Sequence, residues 1–184
     1  MFAMTIPLLL TLLSGCNLLG ETQVKWWGGW STQSDMDGVQ MGTAAEILVR
    51  QDYVAREHRV LEETWRFDDD GLQQSEWIVL VQGSTIESQI DDDPGGTVVI
   101  TGTMLAGEPY DWTSWHWVWS WIDGDRAGDY VIIDGSIGED ASGHWLHMDK
   151  QFFGLNDVPV YTQSEDLLEH SEEDWNTLQA DLGN

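Results

Sequence analysis

Four tryptophans alternate along one short segment of the chain, Thr113 to Ile122. In an extended conformation Trp115, Trp117, Trp119 and Trp121 share one face. Ser114, His116, Val118, Ser120 and Ile122 share the other. A row of indoles can act as a platform for a glycan or another apolar ligand, because each ring offers a large rigid face and one N–H donor. The same row can fill a core, since every strand of a β-sandwich or barrel needs one apolar face. The two readings part on one observable. Core rings are buried with nothing beside them, whereas platform or lumen rings border a groove or cavity.

Carboxylates form a second constellation. Asp123, Asp125, Asp129 and Asp134 lie in one run that also contains Gly128. With Asp123 first, these residues occupy places that an EF-hand-like loop gives to its oxygen ligands, and Gly128 takes the place of its glycine. The pattern departs at Ala127, which stands at a ligand position, and at Asp134, which replaces the bidentate glutamate. The four aspartates are candidate calcium ligands, and a plain acidic hairpin turn is the alternative. A calcium-stabilised structural protein is the function such a site implies. No other cofactor is expected.

Catalysis has little to stand on. The chain contains no Gly-x-Ser-x-Gly elbow, no phosphate loop, no dinucleotide fingerprint and no His-Glu-x-x-His run. Glu76 beside Trp77 and Asp111 beside Trp112 pair a carboxylate with an aromatic ring, as carbohydrate-active hydrolases do. With 33 acids and 12 tryptophans, such neighbours arise by chance. His144 and His147 are three apart, which places them on opposite faces of a strand. The expectation is a binding or structural module rather than an enzyme, with a carbohydrate-active hydrolase as the alternative.

The elements that must carry these residues read as strands. Ala45 onward, His58 to Phe67, Leu72 to Gln82, Thr97 to Leu105, Thr113 to Ile122, Tyr130 to Ile137 and His144 to Phe153 are short segments rich in β-branched and aromatic residues. Acidic, glycine-containing turns such as Asp68-Asp69-Asp70-Gly71 separate them. A helix over 45–66 is the competing reading, because Glu, Arg and Leu are good helix formers. Ser171-Glu172-Glu173-Asp174 has the form of a helix N-terminus, and a C-terminal helix is expected over about 165–182. Seven or eight strands predict an all-β fold, either an antiparallel β-sandwich or a lipocalin-like β-barrel with that helix. Gly28-Gly29-Trp30 resembles the short Gly-x-Trp signature on the first strand of lipocalins, and that resemblance implies the barrel.

The first residues say where the protein works. Ile6 to Leu13 is an apolar run of signal-peptide length, too short to span a bilayer. Leu13-Ser14-Gly15-Cys16 follows and resembles the lipobox of bacterial lipoproteins. The resemblance implies diacylglycerol on Cys16, cleavage before it by signal peptidase II, and a lipid anchor in the cell envelope. Asn17 after the cysteine implies the outer membrane. Cys16 is the only cysteine, so no internal disulfide can form, and acylation gives the thiol a role. The organisation expected is a signal peptide over 1–15, a lipidated Cys16 with a tryptophan-containing tether over 16–30, and one β-domain over 31–184. Trp26, Trp27 and Trp30 would then lie near the headgroups, which suit indole rings.

Charge limits the partners. The chain has 33 Asp and Glu against 7 Lys and Arg, a net charge of −26. Nucleic acid is excluded as a natural partner, and adhesion to an anionic bilayer by charge is disfavoured. The partners left are the membrane through its lipid, and a glycan, an apolar ligand or an envelope protein. Oligomeric state is left open. The 12 tryptophans exclude a disordered chain, which would be poor in aromatics.

Overall fold

The computed structural model describes residues 22–54, 59–82, 84–92, 95–108 and 111–182. Ten strands follow one another: β1 (Thr22–Ser34), β2 (Ala45–Val54), β3 (Arg59–Asp68), β4 (Gly71–Gln82), β5 (Thr85–Asp92), β6 (Gly96–Glu108), β7 (Asp111–Trp121), β8 (Tyr130–Asp140), β9 (Gly143–Gly154) and β10 (Val158–Glu169). One helix, α1 (Glu172–Asp181), ends the described chain. Each strand pairs antiparallel with the next, and β1 pairs with β10 to close the barrel. Of the two architectures expected, the barrel is the one formed. It has ten strands, against eight in the lipocalins.

The strand reading of 45–66 holds over β2 and β3, and the competing helix does not form there, because Ile47, Val49, Gln51 and Tyr53 bury alternate side chains at period two. Two elements differ from the sequence reading. The tether expected up to residue 30 is strand from Thr22, since the Trp-Gly segment pairs with both β2 and β10. The helix begins only after Glu169, because Glu165 and Leu167 alternate into the lumen as strand residues. The extra strands escaped the pattern for the same reasons, and because β5 (TIESQIDD) is largely polar.

The inward faces divide the lumen into two halves. Towards the end where β1 begins, Trp27, Tyr53, Val60, Val81, Ile86, Met104, Trp115 and Leu146 pack into a filled floor. Towards the other end the lumen stays open. This mouth is ringed by the β1–β2, β3–β4, β5–β6, β7–β8 and β9–β10 connections. The β4–β5 ladder is short: among the described residues only Val81–Ile86 and Gln82–Thr85 pair. Above it Ser88 Oγ–H donates to the Ile78 carbonyl at 2.6 Å. From inside, Trp77 packs on Trp119 of β7 at 4.7 Å, behind the seam.

A second, smaller core lies outside the barrel. Ser171 caps α1, its Oγ accepting the Asp174 N–H at 3.1 Å, and three acids fill the first turn. The helix lays Trp175 against Trp26 and Trp65 at 4.9 and 5.1 Å, beside Leu48 and Leu182. The Trp175 indole also donates to the Trp27 carbonyl at 3.1 Å. Removing so large a buried side chain costs about 3–5 kcal/mol. Trp175→Ala should therefore lower the unfolding free energy by about that amount in urea titrations. An unchanged midpoint would show that α1 does not stabilise the barrel.

Candidate functional site

The open half of the lumen is a cavity of about 390 Å³. One wall is aromatic: Trp117, Trp119 and Trp121 from β7, Trp77 from β4 and Phe152 from β9. Trp117 and Trp121 are buried, while Trp77, Trp119 and Phe152 keep some surface open. Trp115 lies deeper, in the filled half. The tryptophan row is thus both core and cavity wall. Small residues opposite make room for it. A Cβ on Gly135 would overlap the Trp115 ring, and one on Gly102 would press on Trp117.

The facing wall is polar, and β3, β9 and β10 supply much of it. Gln51 of β2, buried behind it, organises one part. Its Oε1 accepts the Trp27 indole N–H at 3.0 Å and the Tyr53 hydroxyl at 3.1 Å, and its Nε2–H donates to Glu62 at 2.8 Å. Glu165 organises another. Its Oε1 accepts from Lys150 Nζ at 2.5 Å and from Gln163 Nε2 at 2.6 Å. Nearer the mouth Arg66 holds Asp68 at 2.9 Å and the Ser31 hydroxyl at 3.0 Å. Burial pushes the Glu62 carboxyl above its ordinary range. The Gln51 hydrogen bond and the charge of Lys150 oppose that shift, and the charge of Glu165 adds to it.

The lumen contains more polarity than its own side chains satisfy. The indole N–H groups of Trp115, Trp117 and Trp119, and Oε2 of Glu165, are buried without a hydrogen-bond partner among the described residues. Each such group costs about 1–3 kcal/mol. They are sealed behind the cavity surface, so a ligand in the cavity as it stands does not reach them.

At the mouth, the candidate calcium aspartates take separate partners. Asp123 accepts the Thr97 N–H at 2.6 Å and its hydroxyl at 3.0 Å, tying the β7–β8 loop to β6. Backbone meets backbone there. Gly96 and Gly124 both have positive φ, and a Cβ on either would collide with the other loop. Asp129 pairs with Arg126 at 3.4 Å, Asp134 faces outward to His116 at 2.8 Å, and Asp125 is exposed. Among the described residues no group of three or more His, Cys, Asp or Glu is placed to hold a metal. The loop has another effect: it sets the Arg126 guanidinium 3.6 Å over the Trp121 ring.

The other expected residues fall as follows. Cys16 lies outside the described residues. Trp27 is 0% exposed inside the barrel, so it cannot reach a membrane interface. Trp26 is partly buried under α1, and Trp30 points outward and is 57% exposed. His144 pairs with Glu169 and Glu139, and His147 with Asp166 and Asp149, as separate clusters. Glu76 and Trp77 point to opposite faces, Glu76 into solvent. Glu62, Lys150, Gln163 and Glu165 were missed by the sequence reading. The available signal was the polar alternation Glu62-Thr64-Arg66 opposite an apolar Trp65 and Phe67.

Glu62 gives the barrel a pH dependence of definite sign. Its folded state holds the proton more tightly than the unfolded chain does. Stability from this group is therefore full below the unfolded carboxylate value and falls as pH rises through the raised folded value. Glu62→Gln keeps the size and removes the charge. It should raise the melting temperature by about 2–4 °C near pH 8, a gain that shrinks towards about pH 5. A gain independent of pH, or a loss at pH 8, would contradict this assignment.

Compared with protein-family models, with curated proteins and with solved structures, the chain matches none.

Proposed function

We propose that this chain is a small-molecule binding module of the bacterial cell envelope, anchored by a lipid on Cys16, that takes its ligand into the barrel through the mouth. The observation that carries the reading is the cavity itself. A barrel with a filled floor and an open half, lined by tryptophan on one side and by polar groups on the other, has the concave, amphipathic character of a ligand site. Glycan rings and apolar molecules both suit such an aromatic wall.

The anchor and the mouth are compatible in direction. β1 starts at the floor and runs towards the mouth. Residues 17–21 span at most about 18 Å, so a lipid on Cys16 would hold the floor against the bilayer. The mouth would then open away from it, about 30 Å higher along the tilted strands. The outer face supports an aqueous setting. His116, Asp134, His147, Asp149 and Asp166 form polar side-chain pairs across β7 to β10, where a spanning barrel would present an apolar band. Among the described residues no helix is long and apolar enough to cross a membrane.

Two measurements test the two halves of this reading. N-phenyl-1-naphthylamine, a neutral fluorescent probe, should bind saturably at one site in the wild type. Ile133→Trp, which fills the cavity from β8, should weaken that binding by about tenfold or more. Unchanged affinity in the variant would place the probe elsewhere. For the anchor, Cys16→Ala should move the protein from the membrane fraction to the soluble fraction, and the wild type should carry the mass of its acyl chains. An unmodified Cys16 in the native protein would refute the lipid.

A further inference from the structure

Each cation at the cavity has its own acid. Lys150 is held by Glu165, Arg66 by Asp68, and Arg126 by Asp129. Glu62 is the acid left over. Its hydrogen bond is to the neutral amide of Gln51, and among the described residues no Lys, Arg or His forms an ion pair with it. Lys150 and Glu165 act on it across the lumen with opposite signs, and Lys150 is itself held by Glu165. Arg66, four residues along β3, is already committed to Asp68 and Ser31. An enclosed carboxylate without a countercharge is costly, and it recovers stability from a proton or from a cation.

The surroundings of Glu62 suit a cation. Trp77 stands directly opposite it in register, and Trp119 packs on Trp77. All three line the cavity and keep part of their surface open to it. The aromatic wall already holds one cation against a ring, Arg126 over Trp121. The mouth adds long-range attraction, since Asp69, Asp70 and Asp125 are exposed on its turns and the chain carries a net charge of −26.

We propose that the lumen selects an organic monocation, with its ammonium group between Glu62 and Trp77 and its apolar body along Trp117, Trp119 and Phe152. This rests on reading the barrel as a lumen-binding module, and it names the class of ligand. An anion would be brought against an uncompensated carboxylate. A neutral molecule would bind the aromatic wall and leave Glu62 without a countercharge. Only a cation satisfies both walls at once.

Three probes of one shape separate the classes: phenethylamine, 2-phenylethanol and phenylacetate, each titrated calorimetrically into the whole protein. Phenethylamine should bind about tenfold or more tighter than the alcohol, and phenylacetate most weakly. The ranking of the three probes on the wild type needs no variant. In Glu62→Gln the amine should lose its preference over the alcohol. If the alcohol or the acid binds as tightly as the amine, or the amine preference survives in Glu62→Gln, the cation proposal fails while the lumen reading stands. If none of the three binds the wild type, both fail.

Discussion

Three parts of this molecule meet at Trp27. Its backbone lies on β1, between β2 and β10, where the sheet closes on itself. Its ring is fully buried in the floor, and its indole N–H fixes Gln51. Its carbonyl, on the other side of the same residue, accepts the indole of Trp175 and so fastens α1 to the outside. Closure therefore couples the inner core to the outer one. A sheet left open between β1 and β10 would lose both the floor of the lumen and the seat of the helix.

Closure with ten strands also sets a problem of volume. The interior of such a barrel is wider than that of eight-stranded barrels, whose side chains can just fill it. Here large aromatic rings fill one end, and glycines at 102 and 135 give those rings space. The other end is not filled, and one wall of it carries residues that a packed core would reject. Lys150 and Gln163 both donate to Glu165, and Gln51 donates to Glu62, so these groups are hydrogen-bonded as buried polar groups must be. The cavity exists because the inward residues of β3, β9 and β10 are polar enough to oppose collapse. The short β4–β5 ladder belongs to the same half, with the Trp77–Trp119 contact behind it instead of further backbone pairing.

Much of this fold was legible in the chain. The alternation of Trp115, Trp117, Trp119 and Trp121 is so regular that strand β7 and its division into two faces follow from period two alone, though not which face turns inward. The Ser171 cap and its acidic first turn mark the helix start for an equally local reason. What was not legible was which face of β3 turns inward. Apolarity points to Trp65 and Phe67, yet these pack outside, under α1, while Glu62, Thr64 and Arg66 line the lumen. The rule that apolar faces turn inward assumes a single core. This protein has two, and a helix more than a hundred residues away supplies the second. The aspartates of the β7–β8 turn and β8 left two readings open for the opposite reason. Their spacing suits a shared ion, but the neighbours that take Asp123 and Asp134, Thr97 and His116, are brought there by other strands.

The location of Glu62 links stability to occupancy. In the empty lumen at neutral pH its ionisation works against the fold, since burial raises the cost of the charge. A protein selected only for stability would place an apolar residue or a glutamine there. The hydrogen bond from Gln51 would tolerate glutamine, and the neighbouring Trp77 and Trp119 would pack against an apolar side chain. A carboxylate retained at such a position is a local cost that the scaffold offsets elsewhere, through the aromatic floor and the outer helix. Costs of that kind concentrate where a ligand removes them. A cation that supplies the missing charge would stabilise the folded barrel most where the empty barrel is weakest. Binding and pH dependence would then share one origin, the lumenal acid that, among the described residues, forms no ion pair with a basic side chain.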